Sequence, residues 1–200
     1  VEPGTVLARL EREKPSSIQP SDELVLLHEL CSDRLMTAGL ERYEVSNYAR
    51  LGHRSRHNQV YWRNDSYLGI GPGASTSTHP VRWRNTSNPS HYINAVSQGL
   101  SVRSAAERVP PLERLIETLV IGLRTRDGLE TAALDRRFTP YWRELLTRAA
   151  PSLLDKGIIE WTDDFLRLGT AEALRTDAIV QEVAYRLQEM TEFMKPRDRF

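Results

Sequence analysis

Between residues 43 and 76 the chain concentrates side chains whose types and spacing suit ligand binding. Residues 50–63 carry four arginines (Arg50, Arg54, Arg56, Arg63) and two histidines (His53, His57), with no acid among them. Such a stretch favours an anion, because each guanidinium presents a planar fork of donors that matches a carboxylate or phosphate. Within it, His57-Asn58-Gln59-Val60-Tyr61-Trp62 combines an imidazole able to ligate a metal with two rings able to cover a flat apolar surface. Upstream, Tyr43-Glu44-Val45 has strand character and runs into Ser46-Asn47, so Glu44, Ser46, Asn47 and Tyr48 are expected to project at a strand end. Downstream, Tyr67-Leu68-Gly69-Ile70-Gly71-Pro72-Gly73-Ala74 alternates glycine with other residues. That pattern lets backbone approach a ligand closely and predicts free N–H groups to bind it.

Other chemistries are absent from the sequence. The glycine series lacks the G-x-G-x-x-G spacing of a dinucleotide turn, and Pro72 removes one N–H that a phosphate would use. There is no Ser/His/Asp triad, no carboxylate pair at a catalytic spacing and no zinc pattern. The single cysteine, Cys31, excludes an internal disulfide framework and points to a reducing compartment, so the expected location is cytoplasmic. One thiol also falls short of an iron–sulfur cluster, which needs several. Twenty-seven basic residues balance twenty-seven acidic ones, so an electrostatic partner must be held by a local patch, and residues 50–63 are that patch. No apolar run is long enough to span a membrane, and the start shows no signal-peptide pattern.

The elements that must position this stretch are legible from periodicity. Val1 to Val6 reads as a strand end turning through Pro3-Gly4, and residues 7–17 are charged and poorly patterned. A helix is predicted from Ser21 to a glycine cap at Gly39, with Leu24, Leu27, Cys31, Leu35 and Met36 on one apolar stripe that buries Cys31. The strand over residues 42–45 follows at once, and helix then strand suits a parallel α/β sheet. Residues 76–89 have no clear period and read as a loop holding Trp83. Residues 90–97 form a short helix closed by Gly99, and Pro110-Pro111 marks a boundary. Beyond it, Leu112, Leu115, Ile116, Leu119, Val120 and Leu123 form a wide apolar helix face. Residues 129–138 and 141–154 give two more helices. Residues 158–161 and 165–168 form a hairpin around Asp163-Asp164, and a last helix covers residues 171–190 with Ile179, Val183 and Leu187 inward.

Three adjoining motifs carry a family resemblance. Residues 43–49 resemble Y-E-I-S-N-(F/Y)-A, residues 57–62 resemble H-N-x-x-Y-W, and residues 67–74 resemble Y-L-G-(I/L)-G-P-G-A, with Glu117, Gly122-Leu123-Arg124 and Gly128 continuing the spacing. Together they resemble the oxygen-independent coproporphyrinogen-III-oxidase-like branch of the radical S-adenosylmethionine (SAM) proteins, in particular its HemW-type heme chaperones. Ser75 departs from the histidine usual after the alanine, and Leu51 from the proline common before the glycine. The family's C-x-x-x-C-x-x-C motif has no counterpart here.

The resemblance implies heme, SAM and a [4Fe-4S] cluster as cofactors, with the cluster's cysteines outside this sequence. It implies heme contacts from His57, Asn58, Tyr61, Trp62, Arg54, Arg56 and Arg63, with His57 as the iron contact, and a SAM edge from Gly71, Gly73, Ala74, Ser75 and Glu44. A neutral imidazole ligates heme iron, the rings cover the macrocycle, and guanidinium groups suit its propionates. The structural alternative is that Asn58 caps a turn, Trp62 packs into a wall, and His57 satisfies a backbone carbonyl. Glu44 either positions a cofactor amine or pairs with an arginine of the loop.

The expected fold is α/β. Residues 1–100 would supply late strands and helices of a partial TIM-like (radical SAM) barrel, 101–111 a linker, 112–190 a small helical winged-helix-like domain with a β wing, and 191–200 a tail. A partial parallel sheet would expose an apolar edge and promote association. The expected function is that of the C-terminal half of a HemW-like heme chaperone. Its partners are heme or a related tetrapyrrole, an N-terminal radical SAM half that is either the rest of a longer polypeptide or a separate chain, and a protein heme acceptor. Oxidative decarboxylation of coproporphyrinogen III by the same scaffold is the enzymatic alternative. Duplex DNA binding through the wing is disfavoured, since residues 101–200 hold sixteen basic and seventeen acidic residues.

Overall fold

The computed structural model describes residues 4–13, 21–138, 141–169 and 175–194. The expectations for Val1 to Pro3, for the start of the last helix and for the end of the tail lie outside them. The first described element is α1 (Val6–Glu13), over residues read as charged and poorly patterned, its first turn closed by a hydrogen bond from Ala8 N–H to Thr5 Oγ1. Next comes α2 (Ser21–Thr37), which ends at Gly39 as predicted: Leu40 N–H reaches back to Leu35 C=O and Gly39 N–H to Met36 C=O. Its apolar stripe is not buried. Leu24, Leu27 and Met36 are exposed, and so is Cys31, which corrects the expectation of a core cysteine.

The strand predicted over residues 42–45 is instead a small antiparallel hairpin, β1 (Glu41–Arg42) against β2 (Tyr48–Ala49). Every paired strand among the described residues is antiparallel, so the parallel sheet expected from the helix–strand order is not found there. After α3 (Arg56–Trp62), residues read as loop and linker form a three-stranded meander, β3 (Ser75–Thr78), β4 (Val81–Asn85) and β5 (Arg103–Arg108). Helix α4 (Pro89–Ser97), capped by Asn88, spans the connection from β4 to β5. Alternation is hidden in β3, which is all serine and threonine and carries little hydrophobic contrast, whereas Val81-Arg82-Trp83-Arg84 in β4 does alternate, over too few residues to have been read as a strand.

The second half is the main core. Helix α5 (Pro111–Gly122) begins at the expected proline pair and buries Leu115, Ile116 and Leu119. Strand β6 (Leu129–Glu130) precedes α6 (Thr131–Arg137), so the predicted second helix is shorter than expected. The third is broken by Pro151 into α7 (Tyr141–Ala149) and α8 (Pro151–Asp155). The hairpin forms as predicted, β7 (Ile159–Trp161) with β8 (Phe165–Leu168), and β6 joins it in the order β6-β8-β7. Gly128 is required there, since an added Cβ would lie 2.2 Å from Leu166 O and φ is +71°. Helix α9 (Thr176–Met194) runs past the predicted end at 190 and buries Ile179, Val183 and Leu187 against α5 and α7. At the centre Trp142, fully buried, donates from Nε1 to Asp135 at 2.8 Å and lies 5.2 Å from Trp161. The Arg143 guanidinium and the Trp142 N–H together hold the Asp135 carboxyl below the usual carboxylate range.

Among the contacts that join the halves are two clamps. Arg82 of β4 bonds Glu107 of β5 and, at 2.6 Å, Glu117 of α5. The larger one centres on Asn64, which ends α3 with φ +50°, a conformation asparagine tolerates better than most residues. Its carbonyl accepts from His79 Nε2 at 2.8 Å and from Arg137 Nη2 at 2.5 Å, while Arg137 Nη1 also reaches Arg63 O at 2.6 Å. Its amide donates to Thr118 Oγ1 of α5 at 3.0 Å. The carbonyls of Arg63 and Asn64, just past the end of α3, are thereby taken by a cation from α6, while Gln59, Val60 and Tyr61 C=O in its last turn accept from the Arg63, Asp65 and Asn64 N–H groups.

Burial holds His79 below its ordinary pKa, and the nearby Arg114 and Arg137 push the same way, against the hydrogen bond to Asn64 O and the carboxylate of Glu117. With the folded value depressed, the unfolded chain binds more protons, so stability falls as pH drops from about 6.5 toward the folded value. Thermal unfolding between pH 7 and pH 5 is expected to show this loss, and His79→Gln, which keeps an N–H donor, is expected to flatten it; an unchanged slope would exclude His79 as its source. Leu119, with no exposed surface, gives the core test. Leu119→Ala is expected to cost about 2–5 kcal/mol in denaturant unfolding.

Candidate functional site

The basic loop of the sequence is a helix. Ser55 caps α3 by accepting from Asn58 N–H at 3.3 Å, so the cap is Ser55 and not Asn58. Helical spacing then divides the motif between faces, since residues four apart share a side and residues five apart do not. On one side His57 and Tyr61 meet edge to face with ring centroids 5.0 Å apart, and Tyr61 meets Tyr67 in the same manner at 4.7 Å. Tyr67 is anchored by paired backbone bonds with Ser77 of β3, at 2.8 and 3.0 Å. Burial and the neighbouring Tyr61 phenol raise the Tyr67 pKa, which keeps it neutral. His57 is exposed, and its imidazole makes no hydrogen bond among the described residues. The carbonyl-satisfying histidine is His79, not His57.

The other side of α3 faces a cleft of about 500 Å³ between α3 and α6. Gln59, Trp62 and Arg63 line it, with Tyr43 and Arg54 beside them and Arg136 and Arg137 across. Arg54 is ion-paired with Asp127, and its guanidinium lies 5.7 Å from the Tyr43 ring centre. Among the described residues the Arg63 guanidinium bonds only the Gln59 amide oxygen, at 3.0 Å. Arg50, His53 and Arg56 are exposed and line neither side. The heme residues expected from the sequence are thus split: His57 and Tyr61 together, and Arg54, Trp62 and Arg63 together on the opposite side.

The expected SAM edge is not assembled as one surface. Glu44, 1% exposed, accepts from Ser46 N–H at 3.0 Å and pairs with no arginine, and its Oε1 is buried without a partner. It belongs to the hairpin and bridges to Thr125. Gly71, Gly73, Ala74 and Ser75 lead into β3 instead. The glycine turn also spends its donors: Gly69 N–H goes to Thr76 Oγ1, Gly71 N–H to Tyr92 OH, Gly73 N–H to Thr86 O and Ala74 N–H to Gly71 O. Gly69 is required for shape, since an added Cβ would sit 2.1 Å from Ser75 O. Its backbone is therefore self-satisfied, contrary to the expectation of free N–H groups. Asn64, Tyr67, His79, Arg136 and Arg137 were missed from the sequence. The asparagine–aspartate pair closing the aromatic motif was the available turn signal for Asn64.

Among the described residues no cluster of three or more metal-ligating side chains occurs, and no helix is long and apolar enough to cross a membrane. Residues 109–174 match the HemN C-terminal domain family. Over 138 residues the chain is 36% identical to the heme chaperone HemW of Synechocystis sp., covering 67% of this chain and 33% of that one. Over 181 residues it is 32% identical to the heme chaperone HemW of Mycobacterium tuberculosis, covering 90% and 44%. Over 104 residues it is 41% identical to the mitochondrial radical S-adenosyl methionine domain-containing protein 1 of Mus musculus, covering 48% and 23%. The chain spans less than half the length of these relatives. Its fold is similar to coproporphyrinogen III oxidase (HemN) from Escherichia coli, with a TM-score of 0.58 at 14% identity over 85% of this chain and 42% of that one. The motifs, the domain match and the identities to HemW proteins converge: the chain belongs to the HemW/HemN-like family of radical SAM proteins.

Proposed function

We propose that this chain is the heme-contacting part of a HemW-like heme chaperone, which binds heme and passes it to an acceptor protein. The observation that carries this reading is His57: an exposed imidazole with both ring nitrogens free, held by an aromatic stack that ends in a β-bridge. An iron ligand needs access and a defined direction, and this arrangement supplies both. Tyr61 would lie against the macrocycle edge, with Asn58 and Arg56 on the same exposed helix, while Arg54, Trp62 and Arg63 stand on the opposite side. The proposed frame is a late portion of a radical SAM barrel before residue 101, followed by a winged-helix-like domain over residues 112–190.

The donors for the family's other groups do not fit within this sequence. One cysteine cannot hold a [4Fe-4S] cluster, and the glycine turn has no free N–H at Gly69, Gly71, Gly73 or Ala74 for SAM. In the proposed whole protein the cluster's thiolates come from outside this sequence.

A hemin titration followed by absorbance, comparing the chain with His57→Ala, tests the reading. Saturable equimolar binding with a shifted Soret band is expected, weakened at least about tenfold by the substitution, a loss of ~1.4 kcal/mol. Equal binding by both proteins would overturn His57 as the iron contact.

A further inference from the structure

We propose that the cleft between α3 and α6 is a carboxylate-binding site that receives one propionate edge of a tetrapyrrole, held by Arg63 and Arg136 with the Trp62 indole covering the adjoining ring. The inference rests on the tetrapyrrole reading above but not on the iron contact, because the cleft lies on the side of α3 away from His57.

The charges lining the cleft do not cancel locally. Four guanidinium groups face three carboxylates. Arg54 is taken by Asp127, and Arg137 by the Arg63 and Asn64 carbonyls with Asp65 at 3.8 Å. Arg63 has only a neutral amide, and Arg136 has no partner among the described residues. Two cations therefore face the cleft without an anion, and they come from two elements that the Asn64 clamp holds together. The remaining carboxylate, Glu130, has no ion pair and would repel a second anion, so the site takes one carboxylate and not two.

The rest of the lining is suited to a flat apolar body. Trp62, Tyr43 and Phe165 contribute rings, and Leu129 and Ala133 contribute aliphatic surface. A ring system presented edge-on meets guanidinium forks at its charged rim and aromatic faces behind. The cleft also joins residues of the H-N-x-x-Y-W motif to residues of the HemN C-terminal domain, so ligand binding there would tighten the contact between the halves.

Metal-free protoporphyrin IX tests the cleft alone, since it keeps the ring and both propionates and offers no iron. Saturable binding, followed by porphyrin fluorescence, is expected. Its dimethyl ester, and Arg136→Gln and Arg63→Gln with the free acid, are each expected to bind at least about tenfold more weakly. Arg136 is exposed and unpaired, so Arg136→Gln is expected to leave the melting temperature unchanged. Equal or tighter binding of the ester, or undiminished binding by Arg136→Gln, would overturn the proposal. A negative hemin result with His57→Ala would leave it standing, and a negative result here would leave the iron contact standing.

Discussion

The carbonyl of Asn64 is the point on which the arrangement depends. It ends a helix of only two turns, and such a helix has little stability of its own. What holds it is external: a histidine from the β3–β4 turn, a guanidinium from α6 and a threonine from α5, all converging on one residue. Lost hydrogen bonds at a buried or half-buried helix end cost more than the bonds themselves contribute, so the three partners act as a set. Because they come from both halves of the chain, the same residue that terminates α3 also sets the distance between the meander and the helical core.

From that constraint follows the division of labour on α3. A helix pinned at its end cannot rotate to bring all of its functional side chains to one ligand. His57 and Tyr61 are committed to one side and Trp62 and Arg63 to the other, and each side is completed by residues distant in sequence. Tyr67 completes the first through a stack rooted in β3, and Arg136 completes the second from α6. A compact sequence motif has been distributed in space by a period of 3.6 residues.

This also marks how far the sequence could be read. Apolar periodicity located α2, α4, α5 and α9, the hairpin β7–β8, and the caps at Gly39 and Gly99, because burial or a glycine turn leaves a local signature in each. It failed for the meander, where Ser75, Thr76, Ser77 and Thr78 carry no hydrophobic contrast and the alternation of Val81-Arg82-Trp83-Arg84 is too short to stand out. It failed for α3, whose serine cap stood among arginines and histidines that suggested a loop. Cys31 was misplaced for a different reason: periodicity reports that a face is apolar, not that anything in this chain covers it. The glycine turn was read as a donor-rich cradle, and its donors are satisfied by Thr76, Tyr92 and Thr86, none of which a local pattern can identify as partners. The family, by contrast, was legible from three short motifs, since their order survives whatever shape they adopt.

Strand β5 ends the meander with all six residues exposed and a register shift opposite Arg84 and Asn85. The sequence reading expected a linker over these residues, and they form an edge strand of sequence Arg103-Ser104-Ala105-Ala106-Glu107-Arg108. Charges and an irregular register are the devices by which natural sheets refuse a further strand. The β5 edge of the meander is thereby closed to templated growth, and amyloid-like stacking of this chain would have to begin somewhere else.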